Sequence, residues 1–166
     1  MRKSKNGDFL FYVAGGLLVL AFVLVWFVSS PSALEMLHYV GWIIWAVGIV
    51  LILLPIFVFH SKGRVEKGES FVHTTVLVET GIYAVVRHPL YLGWLLMYPA
   101  IIFWSQHWLT AIIGIAGMAC VYLISKQEDQ RLIEKFGNAY KRYMQSVPRM
   151  NLVVGVIRLV RRRKRE

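Results

Sequence analysis

Gly81-Ile82-Tyr83-Ala84-Val85-Val86-Arg87-His88-Pro89-Leu90-Tyr91-Leu92-Gly93 is the stretch that decides the fold: a cation, an imidazole and two phenols stand directly before an apolar run beginning at Leu90. Pro89 suits the first turn of a helix, where a missing N–H costs nothing, and it disfavours helical backbone at His88. A helix is therefore expected to start at Pro89. Its free amides and positive dipole end favour an anionic group such as a carboxylate or phosphate.

Apolar runs like the one after Pro89 recur through the chain. With 166 residues and 57% hydrophobic content, and a mean hydropathy of +0.56, the chain is too apolar for an ordinary soluble domain. Four apolar runs, about residues 9–29, 36–59, 89–104 and 108–125, account for this. The first two are long enough to cross hydrocarbon roughly 30 Å thick, whereas the third barely is. The first run comes after a short basic leader but lacks a small-x-small cleavage site before Pro31, so it is expected to be a retained helix. Gly15, Gly16, Gly41 and Gly48 lie on the first two runs, either to allow close helix contact or as ordinary membrane-helix glycines. The expected fold is all-α and integral to the membrane, a single membrane domain over 1–166.

Charge supplies the orientation. The net charge is +10, yet neither Lys nor Arg occurs between Phe9 and Phe59 or between His88 and Ser125. All 19 basic residues fall at the N-terminus, between Lys62 and Arg87, or from Lys126 onward. With four crossings these segments share one face, and the positive-inside rule places both termini in the cytoplasm. A charge so distributed speaks for a membrane surface and against nucleic acid as the partner.

Between the spans, residues 60–88 read as a cytosolic loop, in which Phe71 to Val78 is a short β-branched, extended lead-in. From 126 to 166 the chain is a cytosolic helical region. Leu132, Phe136, Tyr140 and Tyr143 fall at helical spacing, while Lys126, Glu128, Asp129, Arg131, Glu134 and Lys135 fill the other positions; Val147-Pro148 ends this helix. Leu152 to Val160, leading into Arg161-Arg162-Arg163-Lys164-Arg165, reads as a surface-lying helix on anionic lipid. Cys120 stands alone in an apolar run, and the five histidines show no ligand-like pairing, so no disulfide framework and no metal are expected.

Gly81-Ile82-Tyr83, Arg87-His88-Pro89-Leu90-Tyr91-Leu92-Gly93, and then Glu128-Asp129, Leu132, Phe136-Gly137, Tyr140, Tyr143 and Val147-Pro148-Arg149 occur in an order that resembles the isoprenylcysteine carboxyl methyltransferase and phospholipid methyltransferase family. The resemblance covers roughly Phe71 to Arg149; the first two apolar runs match only as generic membrane helices. It implies an integral membrane enzyme that uses S-adenosyl-L-methionine. Thr75, Val76, Leu77 and Val78 align with a cofactor-contacting segment, the first position being a histidine in better-known members. Glu128 is the carboxylate the resemblance places on the cofactor; otherwise it is a solvated charge.

The residues themselves suit such a cofactor. A sulfonium, an amino-acid head and an adenosine call for a carboxylate or aromatic faces, an anion-accepting helix end and polar partners. Tyr83 and Tyr91 offer ring faces and hydroxyls, or else interfacial anchoring, and Pro89 and Leu90 open the helix whose amides would meet the anion. His88 is either a cofactor contact or structural, and Arg87 and Arg131 can clamp an anionic acceptor. Trp94, Trp104 and Trp108 are interfacial anchors or core rather than cofactor-stacking groups. No glycine-rich dinucleotide fingerprint is present. The expected acceptor is lipophilic, the carboxylate of an isoprenylcysteine first and a phospholipid amine second. The arginine that contacts substrate in the isoprenylcysteine branch aligns with Ile124. The rivals are a non-catalytic membrane binding or scaffold protein, and a reductase-like use of a related fold with a nicotinamide cofactor. The sequence leaves the oligomeric state open.

Overall fold

A computed structural model describes residues 5–28, 34–62 and 76–164. It is all-helical over these residues: α1 (Lys5–Val25), α2 (Glu35–Lys62), a 3₁₀ turn (Gly81–Ala84), α3 (Pro89–Ser105), α4 (Trp108–Phe136), α5 (Asn138–Ser146) and α6 (Leu152–Arg163). Much of the expected loop 60–88, including Thr75, lies outside the described residues. Val76 to Glu79 has neither helix nor strand.

Among the described residues three helices are long and apolar enough to cross a membrane: α1 over Gly7–Val25, α2 over Glu35–Pro55, and α4. The chain is an all-α membrane protein. The expected third span is the exception. It starts at Pro89, as the proline dictates, but has only 17 residues, a rise of about 26 Å against about 30 Å of hydrocarbon. Nothing before Pro89 lengthens it, because Val86 to His88 is not helical. The expected amphipathic helix also divides: α4 runs on past Ser125 to Phe136 and stops at Gly137, whose φ of 58° favours glycine, before α5 begins.

The chain forms two compact units. One takes in the described parts of Met1–Val50 and Gly93–Gln127; the other takes in those of Leu51–Leu92 and Glu128–Glu166. In the first, Ala21, Ile101 and Trp104 are buried with Leu18, Val25, Trp45 and Ile113 packed against them. Gly41 and Gly48 touch Trp104 and Met97 so closely that a Cβ would collide, whereas Gly15 and Gly16 face open space. Only the α2 pair is therefore needed for helix contact. The α3–α4 hairpin is tied by hydrogen bonds between the Ser105 and Thr110 hydroxyls and from Gln106 Nε2 to the Leu34 carbonyl.

The second unit has its own core of Tyr140, Tyr143 and Val147, covered by Leu77, Leu132, Ile133, Phe136 and Met144. Both sequence blocks that carry the resemblance meet there. The backbone N–H groups of Arg87 and His88 donate to the carbonyls of Pro148 (3.0 Å) and Arg149 (3.1 Å). Pro89 frees this segment from helix, and the α5–α6 connection supplies the acceptors that a buried extended segment requires.

Candidate functional site

One carboxylate organises the second unit. Asp129, on the polar extension of α4, is only 3% exposed. Its Oδ1 accepts from Arg87 Nη1 (2.9 Å), His88 Nε2 (2.8 Å) and the Tyr140 hydroxyl (2.6 Å), and its Oδ2 accepts from Arg149 Nε (2.7 Å). Burial pushes this carboxyl up, but the hydrogen bonds from His88 and Tyr140, the attraction of His88 and the bond from Arg149 outweigh it. The result lies well below the usual carboxylate range, so Asp129 is an anion at any physiological pH.

The tyrosines around it are held neutral. Burial, and then the bond to Asp129, push the Tyr140 phenol far up. Tyr83 and Tyr143 are raised by burial first. Tyr143 donates to the carbonyl of Tyr83 (2.6 Å), which pins the 3₁₀ turn to α5. These phenols act as donors and ring faces, not as bases.

Beside this network lies a cavity of about 60 Å³ lined by Val76, Leu77, Val78, Tyr83 and Arg87 from one sequence block and Leu132, Phe136, Tyr140 and Tyr143 from the other. Five of the expected site residues thus come together. Arg87 is 8% exposed and lies 5.9 Å over the Tyr140 ring, and its Nε is buried with no partner among the described residues. An unpaired buried guanidinium N–H costs roughly 1–3 kcal/mol and is a natural place for an anionic oxygen. The cavity admits a group the size of a carboxylate; whole cofactors occupy pockets of about 300–1,000 Å³. Its cation and aromatic walls therefore fit a carboxylate-sized anionic group such as the amino-acid end of S-adenosylmethionine.

The other expected residues sit apart from the cavity. Glu128 pairs with Arg131 one turn along α4 at 2.5 Å, and neither lines the cavity. Both act electrostatically on Tyr91, whose ring lies 5.6 Å from that of His88. His88 is 5% exposed and committed to Asp129, while Pro89 is buried and Leu90 half-buried at the start of α3. Thr75 lies outside the described residues. Among those residues no three His, Cys, Asp or Glu side chains are grouped as metal ligands.

Asp129, Tyr140, Tyr143 and Arg149 join the site without being legible in the sequence as site residues. Its charge groups Asp129 with the polar residues of its helix, yet it stands three residues before Leu132 and seven before Phe136, in line with the buried face. An acidic residue on an apolar stripe is the signal that could have found it.

Residues 36–139 match the family described as phospholipid methyltransferase, and the chain belongs to that family. The match includes the second apolar run, which by sequence is generic. A methanethiol S-methyltransferase 2 of Bradyrhizobium diazoefficiens is 32% identical over 136 residues, which is 75% of this chain and 48% of that protein. A methanethiol S-methyltransferase of a Pseudomonas species is 31% identical over 153 residues, 82% of this chain and 56% of that protein. The chain thus spans about half the length of the curated relatives it matches. No solved structure matches.

Proposed function

We propose that the chain is a membrane methyltransferase that uses S-adenosyl-L-methionine and carries its methyl group to a thiol acceptor. The observation that carries the methyltransferase reading is the family match over residues 36–139, which includes the Arg87–His88 segment and Asp129. The relatives' names favour a thiol. A phospholipid amine is the second reading, favoured by the family's description. The isoprenylcysteine carboxylate expected from the sequence is the third acceptor to be tested beside them.

When bound, the cofactor supplies an electrophilic methyl on a sulfonium. Arg87 would hold its carboxylate, with Val76 to Val78 and Tyr83 along its flank. Asp129 would act through others, neutralising Arg87 and fixing His88 and Arg149. Glu128, Arg131 and Tyr91 would form a second patch, facing the remainder of the cofactor or the acceptor. The main catalytic contribution would be in-line placement of nucleophile, methyl carbon and sulfur in a water-poor site. A thiol or an ammonium must first lose a proton, whereas a carboxylate is already ionised at neutral pH.

The test is transfer of labelled methyl by detergent-purified protein to methanethiol, a prenylcysteine peptide and phosphatidylethanolamine, each at several pH values. The thiol reading expects a labelled thioether and a rate that rises with pH. Label only in the lipid amine would move the assignment to the second reading, and a pH-independent rate on the prenylated peptide would restore the carboxylate. No labelled product from any of the three would overturn the proposal.

A further inference from the structure

We propose that α6 is a docking surface for the anionic face of a lipid bilayer. The helix is fixed on one side and bare on the other. Asn151 caps it, its side-chain oxygen accepting from the Val154 N–H at 3.0 Å. Gly155 is buried so tightly against the Val85 carbonyl that a Cβ there would overlap it. Arg162 donates to the carbonyls of Ser146 (2.9 Å) and Ala84 (3.5 Å), which closes the far end over α5 and the 3₁₀ turn.

These anchors set the rotation of the helix and so decide what faces outward. Val153, Val156, Ile157 and Val160 are 69%, 50%, 46% and 48% exposed. They stand at i, i+3, i+4 and i+7, one continuous stripe. Four apolar side chains are left in water by a helix that is otherwise well seated, which marks an interaction surface.

Charge identifies the occupant. No acidic residue occurs from Asn151 to Arg165, and none of Arg158, Arg161, Arg162 and Lys164 forms an ion pair among the described residues. An apolar stripe flanked by unneutralised cations is the pattern of a helix lying in a headgroup layer, where each basic side chain adds attraction to anionic lipid. A second copy would bring its own cations against these, and a nucleic acid would leave the stripe in water. At 12 residues α6 is about 18 Å long, too short to span a bilayer. The chain's own membrane helices keep a bilayer available to it.

The test uses the full chain with Cys120→Ser, a spin label at Val156→Cys, and nanodiscs either of neutral phosphatidylcholine or containing phosphatidylglycerol. In anionic discs the label should lose access to a water-soluble nickel relaxant and gain access to oxygen several-fold, and high salt or Ile157→Glu should reverse this. A label equally open to the nickel relaxant in both discs would overturn the proposal. So would protection of the same size in neutral discs, protection conferred by added RNA, or a short label-to-label distance that reports a second copy.

Discussion

Asp129→Asn removes the charge at the centre of the site while keeping its shape. Four donors converge on the carboxylate, and one of them, Arg87, is 8% exposed and already has an Nε without a partner among the described residues. Asparagine leaves that guanidinium without a counter-charge and turns an N–H₂ toward groups that donate. Breaking one side of a buried ion pair costs about 3–5 kcal/mol. Amide hydrogen exchange at Arg87 and His88, whose N–H groups are bonded to Pro148 and Arg149, reads it directly. Local opening should become more frequent by roughly two to three and a half powers of ten. An increase below about tenfold would refute the view that this carboxylate holds the two sequence blocks together. The pH dependence has a defined sign. The folded carboxyl is held below its ordinary range, so its stabilisation is complete above the unfolded pKa, about 3.9, and is lost as pH falls from there toward the folded value. Wild-type and Asp129→Asn proteins should therefore differ by a constant amount from about pH 5 to 8 and converge below about pH 4.

Gly155→Ala should loosen α6 by about 1–3 kcal/mol, because the collision with the Val85 carbonyl outweighs the gain in helix propensity; trypsin should then cut at Arg161 to Lys164 faster, and slower cutting would contradict the seat. Reporter fusions at Lys67 and Arg163 should lie in the cytoplasm and one at Ser32 outside if the basic residues follow the positive-inside rule. Lys67 and Arg163 on opposite faces would rule that topology out. Glu128→Gln should weaken binding of S-adenosylhomocysteine by about 1–3 kcal/mol if the carboxylate meets the cofactor, and unchanged binding by the folded variant would confine Glu128 to its pairing with Arg131.

The apolar helices and the start of α3 are legible in the sequence because they rest on local signals: long apolar runs, and a proline whose effect on His88 is steric. The break at Gly137 is harder to read. Leu132, Phe136, Tyr140 and Tyr143 keep helical spacing across it, and a single glycine does not announce that it will take a positive φ. For Asp129 the helical spacing shows the face but not the role. Burial of a carboxylate becomes favourable only when Arg87, His88 and Arg149, from 20 to 42 residues away, converge on it. No window along one helix contains those partners. Motif order points to Glu128 as the prominent acid, whereas tertiary hydrogen bonding centres on its neighbour. The exposed stripe of α6 is visible as apolar spacing before a polybasic end, but which side of it is buried depends on Gly155 meeting the Val85 carbonyl.

In the proposed function, S-adenosylmethionine is held through Arg87 and the walls of the cavity. Calorimetry of the detergent-purified protein with S-adenosylhomocysteine, with NADPH, and with S-adenosylhomocysteine against Arg87→Ala decides the matter. S-adenosylhomocysteine should bind saturably, NADPH should not bind, and binding should be at least tenfold weaker in folded Arg87→Ala, the loss of about one charge-assisted hydrogen bond. Heat from NADPH alone, or no heat from either ligand with the wild-type protein, would contradict it.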